Sequence, residues 1–119
     1  MAWDVEYTDQ FGDWFRALDE ASQEDVTGAI RRLLAYGPML GRPFADIIKS
    51  SRHHNMKELR PMSSSIRMLF AFDPRRTAIL LIGGDKAGAW DVWYERTVPI
   101  ADRLYDQYLE ELREEGLLS

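Results

Sequence analysis

Apolar positions along the chain change period several times, and each change predicts an element. Trp3, Val5 and Tyr7 alternate with Asp4 and Glu6, which predicts a half-buried strand over 2–8. Phe11, Trp14, Phe15 and Leu18 then fall at i, i+3, i+4 and i+7, the stripe of a short amphipathic helix over 10–19. Ser22 with Asp25 three residues on resembles a capping box, and Val26, Ile30, Leu33 and Leu34 carry a second helical stripe over 22–36. Gly37-Pro38 stops that helix.

Residues 37–55 show no period and read as a long loop, with a helical turn near 44–49. Loops of this length inside a small domain often carry function. Met56–Arg60 is a short strand candidate, and Pro61-Met62-Ser63-Ser64 a turn. Over 65–72, Ile66, Met68, Phe70 and Phe72 share one strand face and Arg67 takes the other. Asp73-Pro74-Arg75-Arg76 is a turn, and the almost wholly apolar 77–82 fits a central strand buried on both faces. The tail predicts a helix over 97–115, with Thr97 as cap, Pro99 in its first turn, and Ile100, Leu104, Tyr108 and Leu112 as its stripe.

The order is β-α-α-β-β-β-α, an α+β domain spanning 1–119. Its sheet should have about four strands, antiparallel-dominated, with helices 10–19 and 22–36 on one face. Trp3, Val5, Phe15, Ile30, Leu33, Ile66, Phe70, Leu80 and Leu104 are the expected core.

Composition excludes several classes. The 119 residues contain no cysteine, so there is no disulfide framework, thiol nucleophile or zinc-thiolate site. No apolar run nears the roughly 20 residues of a membrane span, and Met1-Ala2-Trp3-Asp4 shows neither a basic nor an apolar leader region, so no signal peptide is expected. A cytoplasmic protein without membrane association is expected. Gly83-Gly84-Asp85-Lys86 lacks the P-loop spacing, and no G-x-S-x-G is present. The net charge of −5 hides a segregation. Residues 1–41 hold 3 basic and 8 acidic side chains, 42–86 hold 9 and 4, and 87–119 hold 3 and 8. A basic middle can form a local anion-binding surface on an acidic protein; solvated helices carrying acid outward would give the same count.

Met56-Lys57-Glu58-Leu59-Arg60-Pro61, Ser65-Ile66-Arg67-Met68-Leu69-Phe70 and Ile79-Leu80-Leu81-Ile82-Gly83-Gly84-Asp85-Lys86, in that order, resemble the RelE/ParE superfamily, and more narrowly its HigB-like, phage-derived branch. Ala101-Asp102-Arg103-Leu104-Tyr105 is similar to actinobacterial members. The resemblance implies a RelE-like fold and the toxin of a type II toxin–antitoxin system. It implies an endoribonuclease that cuts mRNA, in many members on the ribosome, without metal or other cofactor. The 2′-hydroxyl attacks the adjacent phosphate to give a cyclic phosphate. It also implies a small helix-turn-helix, HigA-like antitoxin as partner, with operator DNA reached only through that antitoxin. This chain departs from the branch where Gly83, Gly84 and Asp85 precede a single Lys86 in place of Phe and paired lysines.

Such a reaction needs a base, cations for the phosphorane, and an acid for the leaving oxygen. Arg67 is the leading phosphate ligand, since its planar fork donates two parallel hydrogen bonds; the competing role is an ion pair with Glu58 across the hairpin. Arg60 and Lys57 on the adjacent strand bind phosphate, or Lys57 acts as base if neighbouring cations pull its pKa down. Lys86 follows the central strand through two glycines that let backbone approach a ligand. His54 is the candidate acid, with His53 beside it on RNA. Trp90, Trp93 and Tyr94 either stack on bases or pin a terminal helix to the sheet. Lys57, Arg60, Arg67 and Lys86 are expected in one shallow, solvent-open groove. Two other readings stay open: a non-catalytic antitoxin-binding module or phage accessory protein of the same fold, and a ParE-like gyrase inhibitor.

Overall fold

The computed structural model describes residues 2–88 and 90–118. The elements are β1 (Val5–Tyr7), α1 (Asp9–Arg16), α2 (Glu20–Tyr36), β2 (Ala45–Ile47), β3 (Met56–Leu59), β4 (Ile66–Phe72), β5 (Ala78–Asp85) and α3 (Trp90–Glu114). The sheet runs β1-β5-β4-β3-β2; β1 pairs parallel with β5 and the other pairs are antiparallel.

Both faces of this sheet are covered. On one, α1 and α2 bring Phe11, Val26, Ala29 and Leu33 against Leu59, Ile66, Met68, Phe70 and Leu80. On the other, α3 brings Val98, Ala101, Leu104 and Tyr105 against Met56, Leu69, Ala71, Ile79 and Leu81. The alternation expected in β4 therefore holds, but the face opposite Ile66 and Phe70 is a second core. A bulge between Leu69 and Phe70 shifts the β4–β5 register, opposing Leu69 to Ile82 and Phe70 to Leu80. Of the expected core, Leu33, Ile66, Phe70, Leu80 and Leu104 are buried, while Val5, Phe15 and Ile30 are half-buried against it. Trp3 is half-buried and meets Phe72 edge-on at 6.3 Å.

Three element predictions need correction. The stretch read as a loop with a helical turn contains β2, an edge strand. Its three residues have no period to read, and only pairing with Leu59, Glu58 and Lys57 makes them a strand. The cap of α2 is Asp19, whose side chain accepts from the Ser22 N–H at 2.8 Å; Asp25 instead accepts from Ser63 and Ser64. The last helix starts at Trp90, so Thr97 is not its cap but a buried residue inside it, and Pro99 lies within the helix. Tyr94, Val98, Ala101 and Tyr105 supply a stripe that draws the chain onto the sheet earlier and offsets the missing Pro99 N–H.

Gly83 and Gly84 are covered on opposite faces by indoles. A Cβ at Gly83 would lie 2.4 Å from the Trp14 ring, and one at Gly84 2.4 Å from Trp93 Nε1. These glycines admit the protein's own tryptophans, and the close approach expected for a ligand is taken up by them. Gly84→Ala should destabilise the fold by about 1–3 kcal/mol through overpacking, read as a lower urea midpoint with an unchanged slope.

Candidate functional site: a carboxylate ringed by cations

Strand parity and register decide what meets on the α3 face of the sheet. Glu58 shares its parity with Met56 and, across the pair, with Leu69, both in the α3-side core. It is 4% exposed. Arg60 Nε donates to its Oε1 at 2.9 Å, and Arg67 Nε lies 3.4 Å from the same oxygen. The Tyr94 hydroxyl, on the first turns of α3, donates to it at 2.9 Å. Lys86 is 7% exposed, with its ammonium 5.9 Å from the Tyr94 ring centre. Arg67 also donates through Nη1 to the Ile66 carbonyl at 2.7 Å. Its Nε, buried, has no aligned hydrogen-bond acceptor among the described residues. Arg60 and Arg67 line one cleft of about 310 Å³ with Phe44, Pro61, Met62 and Ser64.

Three of the four expected cations therefore converge, and Lys57 does not. It lies opposite Phe70 and shares the parity of Leu59, on the α1–α2 side. Lys57 and Arg60 are three positions apart, an odd spacing that sends the two side chains to opposite faces. The ion pair of Arg67 with Glu58 across the hairpin, the competing role expected from the sequence, is present, and the same parity rule places Glu58 beside Arg60 as well. The groove is neither bare nor wholly open, because Glu58 is its internal counter-charge and the Arg67 side chain is only 14% exposed.

The histidines are elsewhere. His53 Nε2 lies 2.7 Å from Asp106 Oδ1, and its ring meets Tyr105 edge-on. Asp106 is twelve residues beyond Tyr94 on α3, roughly 18 Å along the helix axis. His53 thus pins the loop before β3 to α3, helped by the Arg52–Asp106 pair and by Ser51 donating to Asp102. His54 is exposed in that loop and is not brought to Glu58 as an acid. Trp93 packs over Gly84 and meets Tyr94 edge-on at 5.0 Å, so both half-buried rings pin the helix to the sheet. The side chain of Trp90 lies outside the described residues. Part of the segregated charge is also spent internally: Asp102 and Asp106 hold the 51–53 loop, and Glu6 accepts from Arg75 at 2.9 Å and from Tyr108 at 2.6 Å.

The family model of phage-derived Gp49-like proteins (DUF891) matches residues 13–106. The chain belongs to this Gp49-like family. The Mycobacterium tuberculosis (strain H37Rv) protein named "Putative toxin HigB3" is 56% identical over 96 residues, 81% of this chain and 84% of that protein. HigB2 of the same organism is 45% identical over 104 residues, and there the chain spans about half the relative's length, 52%. The crystal structure of the isolated E. coli RelE toxin superposes with a TM-score of 0.60 at 14% identity, covering 83% of this chain and 99% of that one. The RelBE2 toxin–antitoxin complex of M. tuberculosis gives 0.56 at 14%, covering 71% and 99%. At such identities the likeness is one of fold, and the fold is RelE-like.

In this Gp49-like chain burial and the charges of the cluster together shift the protonation of Tyr94 and Lys86. Burial, with the Glu58 charge beside it, pushes the Tyr94 hydroxyl up from 10.0 to about 12. Burial, and then the Arg67 charge, pull the Lys86 ammonium below its usual range, with Glu58 opposing. Among the described residues no group of His, Asp or Glu is arranged to hold a metal ion, and no helix is long and apolar enough to cross a membrane. The folded Tyr94 value lies above the ordinary one. Its contribution to stability is therefore complete below pH 10 and is lost as pH rises from 10 towards about 12. Tyr94→Phe should flatten that part of the alkaline stability profile, and a phenolate absorbance titration should lose one component near pH 12.

Proposed function

We propose that this chain is the toxin of a type II toxin–antitoxin pair and acts as a metal-independent mRNA endoribonuclease, working on ribosome-bound message. The observation that carries this reading is the convergence of Arg60, Arg67 and Lys86 around Glu58, with the two arginines lining a cleft. The names of the HigB relatives and the RelE-like fold support it.

In this reading a phosphodiester enters the cleft beside Arg67 and Arg60. Their guanidinium groups then gain hydrogen bonds to the oxygens on which charge develops. Lys86, acting from its neutral amine form, accepts the proton of the 2′-hydroxyl and becomes the ammonium. The attacking oxygen closes a 2′,3′-cyclic phosphate, and the leaving 5′-oxygen takes a proton from the Lys86 ammonium. His54, Lys57 and the histidine-bearing loop have no step in this scheme. The partner is a small antitoxin, in keeping with the solved toxin–antitoxin complexes that share the fold; a helix-turn-helix protein encoded beside it is the expected form. The ion pairing of both arginines with Glu58 also suits the second reading, a non-catalytic antitoxin-binding module.

Arg67→Lys separates the two. Lysine keeps a charge near Glu58 but loses the fork, so the fold should hold. Cleavage of ribosome-bound message should fall by about 10²–10³-fold, the usual loss when one donor to a developing charge is removed. Growth inhibition should disappear with it. A folded Arg67→Lys variant as toxic as the parent would count against the ribonuclease. Lys57→Ala and His54→Ala should each leave cleavage within about threefold, since neither reaches the cluster. Co-expression with the neighbouring reading frame should restore growth; toxicity unchanged by it would rule that frame out as the antitoxin.

A further inference from the structure

We infer that Glu58 is the positioning residue of this site, holding Arg60, Arg67 and Tyr94 in the arrangement that receives the phosphate. The inference rests on the ribonuclease reading for its purpose and on geometry for its substance. One oxygen, Oε1, is the shared point: Arg60 Nε and the Tyr94 hydroxyl both donate to it at 2.9 Å, and Arg67 Nε lies 3.4 Å away. These partners come from β3, β4 and α3, elements far apart in sequence. Among the described residues no other carboxylate is ion-paired with Arg67, Asp85 acts on it only at longer range, and of the two arginines Asp46 reaches Arg60 alone, at 3.4 Å.

Glu58 does not touch the reacting atoms in this scheme. It supplies the charge that lets two guanidinium groups sit side by side on a covered sheet face before any ligand arrives. It also leaves them incompletely satisfied: Arg67 Nε is close enough for attraction but not aligned for a hydrogen bond. That Nε is itself buried, so a phosphate is received by the rest of the guanidinium where Arg67 lines the cleft. Charged and titratable groups acting on Lys86 include Glu58 on β3 and Arg60 just beyond it, Arg67 on β4 and Tyr94 on α3. Glu58 is the carboxylate among them that favours the ammonium form, alongside the face of the Tyr94 ring, so its removal should make Lys86 lose its proton more readily.

The test compares the full chain with Glu58→Gln and Glu58→Asp. Glutamine still accepts hydrogen bonds from Arg60 and Tyr94 but carries no charge; aspartate keeps the charge and withdraws it by one methylene. Cleavage of ribosome-bound message is measured as kcat and KM separately, and the Lys86 amine is titrated by NMR without RNA. Glu58→Gln should lower kcat by at least about tenfold without raising KM, because arginines freed of an internal anion still bind phosphate but are no longer held in place. Its Lys86 titration, and the rising limb of its pH–rate profile, should both move to lower pH. Glu58→Asp should lose kcat while its Lys86 titration stays near that of the parent. Should Glu58→Gln not fold, Glu58→Asp alone decides, since a parental kcat there overturns the positioning role. A folded Glu58→Gln with parental kcat and an unmoved Lys86 titration overturns it as well. If the parent chain cleaves no RNA, the ribonuclease reading falls, while the Lys86 titration still decides whether Glu58 organises the cluster.

Discussion

A sheet covered on both faces cannot hold a charged side chain in its interior unless another charge meets it there, and that constraint organises this molecule. Glu58 on β3 is such a side chain. Desolvating its carboxylate is offset only because Arg60, Arg67 and Tyr94 all reach it. Removing one partner of a buried pair typically costs about 3–5 kcal/mol, because the other charge stays behind. The register of β3 against β4 and the docking of the first turns of α3 are thus tied to one oxygen atom.

The same constraint explains how cations accumulate on an acidic protein. Bare clustered cations would repel; three positive groups around one carboxylate do not need a ligand to stay together. What they retain is a local excess of positive charge beside a cleft, with Lys86 loosened by burial and by its arginine neighbour. The acid of the C-terminal helix serves a separate purpose. Asp102 and Asp106 fasten the 51–53 loop, and Tyr108 reaches Glu6 and through it Arg75 near the other end of the sheet. Helix α3 is therefore both the lid of one core and the element that completes the site with Tyr94.

Much of this was legible in the chain. The alternation of Ile66, Met68 and Phe70 placed Arg67 on the opposite face, the apolar run 77–82 marked the central strand, and Gly37-Pro38 ended α2, with Gly37 at a φ of 57°. Parity would also have separated Lys57 from Arg60 and joined Arg60 to Glu58, since that information is local. The order of elements and the basic segments between 56 and 86 carried the family resemblance that the comparison with HigB relatives bears out.

What the residues alone could not convey is which surfaces are covered. Local periodicity reports that a face is apolar, not what lies on it. The face of Arg67 reads as open until α3 is seen to start at Trp90 and lay Trp93 and Tyr94 across it. The fate of His53 depends on Asp106, fifty-three positions away, and β2 exists only through its pairing with β3. Side-chain parity, turns and caps are set by bonds between near neighbours, so sequence determined them. Burial and charge neutralisation are set by elements distant in the chain: the hairpin offered Arg67 the Glu58 carboxylate, and tertiary packing alone decided that the pair lies under α3 instead of in open solvent.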